Sequence, residues 1–329
     1  MGIRHLNRYL RENCPQSIKC IKISEISYKK IAVDISIYLY KYESENALLE
    51  NMFVMLSIFR YYNIIPMFIF DGKPPNEKKA LLQKRKEDKK AAQKEYEKLK
   101  KELESKDKMN AKEKQDIIVT MEQLKKQFVQ ISKDKTEKVK SLIRAYGATY
   151  YDAPGEADEL CALLVIKNKV WACLSEDMDL FVYGCTRVLR YLSLISHTVI
   201  LYNTEDIYNE LKMTHKEFKE ICVLSGTDYN INVCSNIEKV NLKLTIEHFN
   251  KFKEINNLNE NFYDWLTINT DYISDIHLLN KIMDMFNLDL DCNSEKLESF
   301  KNIKIINGQI RQDEIENIMK NEDFIFLKN

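Results

Sequence analysis

Glycine is scarce in this chain, with seven residues among 329, and proline is scarcer, with five. Soluble proteins contain about 7% glycine on average. The chain has no P-loop or other glycine-rich phosphate loop, which argues against a phosphatase or kinase. We expect the few glycines to lie where the backbone needs a positive φ or a close approach. Six of them fall in or beside the polar segments described below: Gly2, Gly72, Gly147, Gly155, Gly184 and Gly226.

Long apolar runs and paired cysteines are also absent. No apolar run approaches the roughly 18 residues that span a membrane, and the first residues contain no apolar signal core. The eight cysteines form no CxxC pair and lie mostly in apolar contexts, which predicts buried thiols in a reducing, intracellular compartment. With five scattered histidines, no zinc site is expected. We expect a monomer without a membrane partner.

The chain carries no net charge, because 50 basic side chains match 50 acidic ones. The charges are unevenly distributed. Residues 76–140 contain 21 Lys and Arg against 13 Asp and Glu, which leaves 29 basic and 37 acidic residues for the rest of the chain. A basic segment joined to an acidic body suits a polyanionic substrate held by one part and metal ions held by the other. A solvated pair of charged helices is the alternative.

Two acidic pairs lie within residues 151–180. Glu156 and Asp158 follow a Pro-Gly pair and begin an apolar, helix-like run, where the helix dipole tolerates negative charge. Asp177 and Asp179 follow VWACL, which is typical of a buried strand, so their spacing predicts that both point into one crevice. Carboxylates this close repel each other unless a cation neutralises them, and oxygen ligands favour magnesium or manganese. Two unrelated solvated turns remain the alternative.

Two earlier strands end in aspartates of the same kind. IAVDISIYLY contains a buried strand that ends at Asp34, and IIPMFIFDGKPP contains a second strand that ends at Asp71. Because helical segments alternate with these strands, we predict an α/β fold with a parallel sheet and helices on both faces. Ligands of such sheets bind beyond the carboxyl ends of the strands, where Asp34, Asp71 and Asp177 all lie. Together these residues predict a cation-binding rim.

The remaining segments continue this alternation. Residues 76–140 are typical of long exposed helices, inserted between two strands and projecting from the domain. RVLRYL and TVILY predict a β-hairpin, followed by a helix that Asn203 or Thr204 caps and that ends at Leu211.

A seventh candidate carboxylate follows another predicted helix. KEFKEICVLSGTDYN predicts a helix that ends at Gly226, with Asp228 directly after it. Residues 237–329 are predicted to be helical and contain no further motif.

Taken together, these segments resemble the flap endonuclease (XPG-type) family of structure-specific 5′ nucleases. The resemblance rests on the initial MGI and on VDISIYLY, FDGKPP, APGEADE, SEDMDL and SGTDY, in the family's order and at roughly its spacing. It covers residues 1–230 well and the rest weakly. It implies a single parallel-sheet 5′ nuclease (PIN-like) core over residues 1–329, with an inserted basic helical arch at 76–140 and a helical C-terminal part at 251–329.

The resemblance also implies two-metal hydrolysis of DNA phosphodiester bonds in replication or repair. All seven metal positions of the family carry a carboxylate here: Asp34, Asp71, Glu156, Asp158, Asp177, Asp179 and Asp228. The first four would hold one Mg²⁺ ion or its water shell and the last three would complete the second, with Mn²⁺ as a substitute. Such ions activate the attacking water and stabilise the leaving 3′ oxygen, so no histidine base is needed. Asp158 replaces the family's usual Glu and is one methylene shorter.

The same resemblance assigns DNA contacts. Lys78 and Arg85 match the Lys and Arg that reach the scissile phosphate, and seven residues place them on one helical face. They are alternatively two ordinary members of the basic segment. Tyr40 matches an aromatic residue that stacks on a base near the cut, or it is a core tyrosine of an amphipathic helix. Gly2 matches the glycine beside the metals, and the arch would thread a single-stranded 5′ end.

Two features depart from the family pattern. The family's glycine-rich helix–hairpin–helix turn, which binds duplex phosphates and usually K⁺, is replaced within residues 216–250 by the glycine-free INVCSNIEKVNLKLTIEHF. This degenerate region puts potassium binding and duplex anchoring in doubt. Near the C-terminus, QDEIENIM has the Gln and Ile of a sliding-clamp motif without its aromatic pair, so clamp binding is not predicted.

Three functions agree with these observations. The first is a flap endonuclease acting on DNA with a 5′ flap or a free 5′ single strand. The second is a 5′→3′ exonuclease or junction-cutting relative with the same metal site. The third is an inactive, nucleic-acid-binding family member, which the loss of a metal carboxylate would favour, and all seven are present. An unrelated acidic-cleft phosphatase or kinase is disfavoured by the missing phosphate loop.

Overall fold

The computed structural model describes residues 2–105, 110–229, 241–255, 261–288, 300, 303–320 and 324. Within them, one seven-stranded sheet forms the centre of the protein. Its strands are β1 (Ile18–Lys22), β2 (Lys30–Asp34), β3 (Ile65–Phe70), β4 (Thr149–Asp152), β5 (Ala172–Leu174), β6 (Arg187–Ser193) and β7 (Thr198–Asn203).

The strand order is β1-β7-β6-β5-β2-β3-β4, and the five strands from β6 to β4 are parallel to their neighbours. The predicted parallel sheet is therefore confirmed. β6 and β7 form the predicted antiparallel hairpin, and β1 extends it antiparallel to β7. β1 was not predicted, because its side chains are mostly exposed and show no apolar alternation.

Helices cover the sheet and extend from it. They are α1 (Leu6–Asn13), α2 (Ser36–Ser44), α3 (Leu48–Tyr61), α4 (Lys79–Ser105), α5 (Ala111–Gln127), α6 (Lys133–Ala145), α7 (Ala157–Ile166), α8 (Asp179–Val182), α9 (Thr204–Leu211), α10 (His215–Ser225), α11 (Leu242–Ile255), α12 (Phe262–Asn269), α13 (Ile276–Met285) and α14 (Gln312–Lys320).

Alternating side chains of the strands build two apolar cores. Ala32 and Met67 belong to a first core with α1, α7, α10, α12 and α13, whereas Val33 and Phe68 belong to a second core with α2, α3, α6 and α14. Because successive residues of a strand point to opposite faces, the two cores lie on the two faces of the sheet. The prediction of helices on both faces is confirmed.

The segment predicted to form an arch contains α4 and α5, and we keep the name arch for this helical pair. The two helices pack on each other, and Tyr96 meets Phe128 edge to face with ring centroids 5.5 Å apart. α6 begins inside the predicted 76–140 segment, yet its Val139 is fully buried in the second core. Val139 and Lys140 therefore belong to the body of the protein, although they lie in the segment predicted to project from it.

Two local predictions are wrong. Asn203 precedes α9 but its side chain makes no capping hydrogen bond, and Thr204 Oγ1 instead donates to the carbonyl of Cys185 at 2.9 Å. Residues 303–311 are not helical. There the amides of Gly308 and Arg311 donate to the carbonyls of Gly147 and Ala145, both at 2.8 Å, so bonds to a distant segment replace helical ones.

Some of the sequence predictions fall on residues outside the described ranges. Residues 230–240, which contain most of the expected degenerate hairpin, lie outside them, as do Cys234 and Cys292. The six described cysteines are free thiols, and all but Cys20 are buried. No helix in the described ranges is long and apolar enough to cross a bilayer.

Candidate active site

Asp34 ends the central strand β2 and is buried at the carboxyl rim of the sheet. Its Oδ2 accepts a hydrogen bond from Ser175 Oγ at 2.7 Å, at the end of the neighbouring strand β5. Burial raises the pKa of Asp34 to about 7, and the negative charges of Asp71 and Asp177 add to the rise. The carboxylates of Asp34, Asp71 and Asp177, which lie at or beyond the ends of three different strands, are thus close enough to interact, as the sequence predicts.

Asp71 joins the end of β3 to the start of α7. Its Oδ2 accepts from Ser36 Oγ at 2.5 Å, and its Oδ1 accepts from the backbone amide of Ala157 at 2.9 Å. Asp71 therefore caps α7 from another element, because the first amides of a helix lack partners within it. The Gly72 amide also donates to the Gly155 carbonyl at 2.7 Å.

Asp177 and Asp179 lie together, but not for the reason that their spacing gives. The segment is not extended, since Met178 is helical and Asp179 begins α8. The two residues are held instead by a hydrogen bond from the Asp179 amide to Asp177 Oδ1 at 3.0 Å. Gly2, at φ 76°, packs on both side chains: a Cβ there would lie 2.6 Å from Asp179 Oδ1 and 2.8 Å from Asp177 Oδ1.

Lys78 and Arg85 contact two further carboxylates, Glu156 and Asp228. Lys78 Nζ donates to Glu156 Oε1 at 2.5 Å and lies 3.6 Å from Asp228 Oδ2, which also accepts from Arg85 at 2.9 Å. The hydroxyl of Tyr229 donates to Glu156 Oε2 at 2.5 Å. Both cations therefore lie at the acidic rim and are not ordinary members of the basic segment.

We call the seven carboxylates the acidic cluster; burial and the repulsion of neighbouring carboxylates raise the pKa of four of them, Asp34, Asp158, Asp177 and Asp179. Burial raises the pKa of Asp158 well above its usual range, and Asp177, Glu156 and Asp179 raise it further. Burial does the same to Asp179, and then Asp177 and Asp228 contribute. Burial lowers the pKa of Lys78, but the hydrogen bond to Glu156 and the negative charges of Glu156, Asp158 and Asp228 together outweigh burial, and the pKa is raised overall. The acidic cluster thus contains more carboxylates than the neighbouring cations Lys78 and Arg85 can neutralise.

The side chains of the acidic cluster are not arranged as a complete metal-binding site. Among the residues that the structure describes, no three acidic, histidine or cysteine side chains converge closely enough to hold a metal ion. The ammonium group of Lys78 lies between Glu156 and Asp228 instead. Asp179 Oδ1 is buried and has no hydrogen-bond partner within the described ranges. An unpartnered buried carboxylate oxygen is costly, and its chemistry suits a hard cation such as Mg²⁺.

Tyr40 lies on α2 and is 47% exposed, whereas its neighbours Tyr38 and Tyr42 are buried in the second core. The core-tyrosine interpretation of Tyr40 is therefore wrong. Lys89 of the arch helix α4 places its Nζ 4.9 Å from the centre of the Tyr40 ring. Tyr40 thus faces α4 with a cation on its ring.

Three residues of the site were missed by sequence reasoning: Ser36, Ser175 and Tyr229. Ser36 and Ser175 hold Asp71 and Asp34, and Tyr229 holds Glu156. Ser175 follows β5 directly and precedes the EDMD motif, so its position at a strand end was a usable signal. Tyr229 is the last residue of SGTDY, which pointed to Asp228 alone.

Acids at the carboxyl rim of a parallel sheet, facing a Lys and an Arg from an inserted helix, define a phosphodiester hydrolase of the structure-specific 5′ nuclease class. Family models agree. Residues 1–92 match the XPG N-terminal domain and residues 147–228 match the XPG I-region. Flap endonuclease 1 of Zea mays is 32% identical over 292 residues, which cover 80% of this chain and 73% of the relative.

Two solved structures share the fold. The catalytic core of Rad2 in complex with DNA substrate gives a TM-score of 0.63 at 22% identity, covering 97% of this chain and 94% of that one. The Holliday junction-resolving enzyme GEN1 in complex with product DNA and Mg²⁺ gives 0.58 at 18% identity, covering 97% and 73%. The chain belongs to the XPG-type flap endonuclease family, and is a DNA-binding endonuclease of replication or repair.

Proposed function

We propose that this protein cuts DNA that carries a 5′ flap or a free 5′ single strand, with divalent metal ions held by the acidic cluster. The single observation that carries the proposal is the unbalanced charge of the cluster, where Asp179 Oδ1 is buried without a partner. The donor set is made of carboxylate oxygens, which suit Mg²⁺ and Mn²⁺. The Mg²⁺ in the GEN1 structure supports the same choice.

We propose Asp34, Asp71, Glu156 and Asp158 as the holders of one ion or its water shell, and Asp177, Asp179 and Asp228 as the holders of a second. Bound ions would supply an activated water and stabilise the leaving oxygen. Since Lys78 now neutralises Glu156 and Asp228, loading the site requires Lys78 to leave these carboxylates. Once released, the Lys78 ammonium is free to bind an oxygen of the scissile phosphate, beside Arg85.

The other residues position the DNA. Tyr40, exposed beneath the arch, offers a ring on which an unpaired base can stack. Gly2 leaves room for the Asp177 and Asp179 side chains, because any Cβ at this position would overlap with both. The basic helices α4 and α5 give a single strand a positively charged path. We keep K⁺ out of the proposal because the glycine-free hairpin offers no argument for it.

We also propose that the protein acts as a monomer and without a sliding clamp. The clamp-like segment QDEIENIM forms α14, and its Ile315 and Met319 are buried in the second core. An apolar side chain buried in its own domain is not available to a partner.

The experiment that tests the proposal compares DNA structures in Mg²⁺. We expect a 5′-flap duplex to be cut faster than blunt duplex, single strand or four-way junction, with a short oligonucleotide as the product. Equal rates on all four would contradict flap specificity. Faster cutting of the junction would make the protein a junction-cutting relative, and mononucleotide release would make it an exonuclease.

The metal assignment has its own test. Asp177→Ala should abolish cleavage while the affinity for flap DNA stays nearly unchanged, because Asp177 holds metal rather than DNA. Asp206→Ala, an exposed acid in the first turn of α9, is the matched control and should cut normally. If Asp177→Ala still cuts DNA, the assignment is wrong.

A further inference from the structure

The loop that joins β5 to α8 carries Asp177 and leads into Asp179. Within it the Asp177 amide donates to Ser175 Oγ at 3.1 Å, and the Asp179 amide donates to Asp177 Oδ1 at 3.0 Å. Carboxylates bind a metal ion tightly only when the surrounding residues hold them in place. The contacts that fix this loop therefore decide how well both aspartates can bind an ion.

Arg190 of β6 holds the loop on both sides of Asp177. Its Nη2 donates to the Glu176 carbonyl at 2.8 Å, and its Nη1 donates to Met178 Sδ. Glu176 and Met178 are the residues directly before and after Asp177. Because the guanidinium group is planar and rigid, the two contacts fix these flanking residues relative to each other and to the sheet. The resemblance to the nuclease family assigns no role to this arginine.

Arg190 is itself held firmly. Only 4% of it is exposed, and its guanidinium carbon lies 5.0 Å from the ring centre of Tyr191 and 5.6 Å from that of Tyr202. Its Nη1 also donates to Asn7 Oδ1 at 2.8 Å, and the Tyr202 hydroxyl donates to the same oxygen at 2.8 Å. Asn7 Nδ2 in turn donates to the Tyr191 hydroxyl at 2.9 Å. The guanidinium group therefore has little freedom to rotate away from the loop.

The backbone of β6 is distorted next to Arg190. The pairing of β6 with β7 shifts register between Arg190 and Ser193, which marks a β-bulge. Tyr191 lies in the left-handed conformation there, at φ 57°, and its amide donates to Glu176 Oε1 at 2.5 Å. Bulky residues seldom adopt this conformation, and such strain tends to persist at functional sites. The distortion thus gives Glu176 a second hydrogen-bond donor from β6.

The two roles that Arg190 can have, charge and position, predict opposite effects on metal binding. Its Nε lies 3.5 Å from Glu176 Oε2, so the guanidinium group carries its positive charge next to the loop. Like charges repel, so removal of this charge alone would strengthen the binding of a divalent cation. Loss of a positioning contact would weaken that binding instead.

We propose that Arg190 is a positioning residue, which holds Asp177 and Asp179 in the arrangement in which they bind a divalent ion. It acts through Glu176 and Met178, and Asn7 of α1 holds it in turn. This inference rests on the proposed function, because it takes the acidic cluster as the site of the metal ions. It adds the bulge of β6 to the elements on which the metal site depends.

The test measures the binding of Mn²⁺ to the protein without DNA, by titration calorimetry or by the paramagnetic resonance of free Mn²⁺. We expect the Kd for Mn²⁺ to rise roughly 10–100-fold in Arg190→Met. Arg187→Met is the matched control, since Arg187 lies on the same strand but stacks on Trp171 and donates to its carbonyl. The control should bind Mn²⁺ as wild type does. An unchanged or lower Kd in Arg190→Met overturns the inference.

A conservative variant separates geometry from charge. Arg190→Lys keeps the positive charge, but its single nitrogen cannot reproduce the forked contacts to Glu176 and Met178. We therefore expect it to bind Mn²⁺ more weakly than wild type and more tightly than Arg190→Met. In cleavage of flap DNA, the Mg²⁺ concentration at half-maximal rate should rise in the same order. If Arg190→Lys matches wild type in both measurements, the inference is overturned.

The same titration separates this inference from the proposed function. If wild-type protein does not bind Mn²⁺, the proposed function is overturned. If wild type binds it and Arg190→Met binds it equally well, the inference alone is overturned.

The folding of Arg190→Met is checked by its thermal unfolding midpoint in EDTA. If the midpoint falls below that of Arg187→Met, Asn7→Ala replaces it, because Asn7 is only half-buried and its loss frees the guanidinium group without removing a charge. Weaker Mn²⁺ binding by Asn7→Ala, with an unfolding midpoint near that of wild type, supports the inference. Binding of Mn²⁺ with the wild-type Kd overturns it.

Discussion

Lys78 is a nearly buried cation, 8% exposed, whose charge is balanced only by the acids around it. Removing one partner of a buried ion pair leaves the other charges uncompensated, at a cost of roughly 3–5 kcal/mol. We therefore expect Lys78→Met to lower the unfolding free energy of the metal-free protein by about that amount. Addition of Mg²⁺ should restore more stability to this variant than to wild type.

Thermal unfolding in EDTA and in Mg²⁺ measures both effects. Lys79→Met is the matched control, since Lys79 is the exposed next residue. Equal midpoints for the two variants in EDTA would show that Lys78 does not neutralise the cluster.

Asp34 gives a pH-dependent prediction. Its pKa in the folded protein is raised to about 7 from the ordinary 3.8, first by burial and then by Asp71. A raised carboxylate pKa means that the folded state prefers the protonated form, so this group's contribution to stability is complete below pH 4 and is lost as the pH rises through 7. At about 1.4 kcal/mol per pH unit, the loss is on the order of 4 kcal/mol.

We expect Asp34→Asn to match wild type near pH 4 and to exceed it in stability at pH 8, both in EDTA. Urea unfolding at the two pH values measures the difference, and the exposed Asp206→Asn should show no such trend. A variant that is less stable than wild type at pH 8 contradicts the raised pKa.

At the scale of single residues, the sequence predicted the acidic side chains of the site better than their hydrogen-bond partners. Asp34, Asp71 and Asp177 follow strands, and the parallel sheet brings strand ends together, so their meeting was predictable. The hydrogen bond from Ser175 to Asp34 joins residues 141 positions apart, and local pattern carries no signal for it. The turn that joins Asp177 to Asp179 is a helical start, which an i,i+2 rule for strands cannot describe.

Among the elements, the junction of β3 with α7 depends on Gly72. A Cβ there would lie 1.9 Å from the Ala153 carbonyl oxygen, which is backbone and cannot yield without moving its loop. Gly72→Ala should therefore displace Asp71 from the Ala157 amide that it caps, and cost about 1–3 kcal/mol of stability. We expect Mg²⁺-dependent cleavage to fall by at least tenfold.

Gly155→Ala is the matched control, since a Cβ there meets only Glu159 Oε2, at 3.9 Å. Cleavage rates and unfolding midpoints of both variants decide the matter. Similar losses in the two, or none in Gly72→Ala, would contradict the role given to this contact.

The arch makes a prediction about salt. Lys90, Lys94 and Lys101 are exposed on one face of α4. Each phosphate contact with a single strand contributes about 0.7 to the slope of log affinity against log salt. Changing all three to Gln should lower the slope for flap DNA by about 2.

Fluorescence anisotropy of a labelled flap at several salt concentrations measures this slope. The control changes three other exposed lysines, Lys19, Lys29 and Lys30. Lys19 lies on β1, whereas Lys29 precedes β2 and Lys30 begins it, at the opposite end of that strand from Asp34. An unchanged slope in the α4 variant would mean that the strand does not run along this face.

The elements differed in how well the sequence predicted them. The β6–β7 hairpin and α9 have clear periodicity, and both were found where expected. Residues 303–311 were predicted to be helical with the rest of 237–329, but tertiary hydrogen bonds to Gly147 and Ala145 determine their path. Such distant bonds cannot be read from local propensity.

For the whole molecule, α14 ties the C-terminal part to the sheet. Met319 is fully buried in the second core, beside α6. Met319→Ala should lower the unfolding free energy by roughly 2–5 kcal/mol, and the whole protein should still unfold in one transition if residues 1–329 form one domain.

Urea unfolding followed by circular dichroism and tryptophan fluorescence tests this. Asn317→Ala, an exposed change on the same helix, is the control. Two separate transitions would show that the C-terminal part folds independently of the nuclease core. The alternation of strands and helices predicted the sheet. The packing of α14 on the second core depends instead on tertiary contacts that leave no pattern in the sequence.

Lys78 is followed directly by α4, the 27-residue helix that forms one side of the arch. Under the proposed function, an ion that displaced the Lys78 ammonium group would also free the start of that helix. Metal binding and the position of the arch would then be thermodynamically coupled. By reciprocity, a strand that favours the freed position would raise the affinity for metal by the same factor by which metal raises the affinity for the strand.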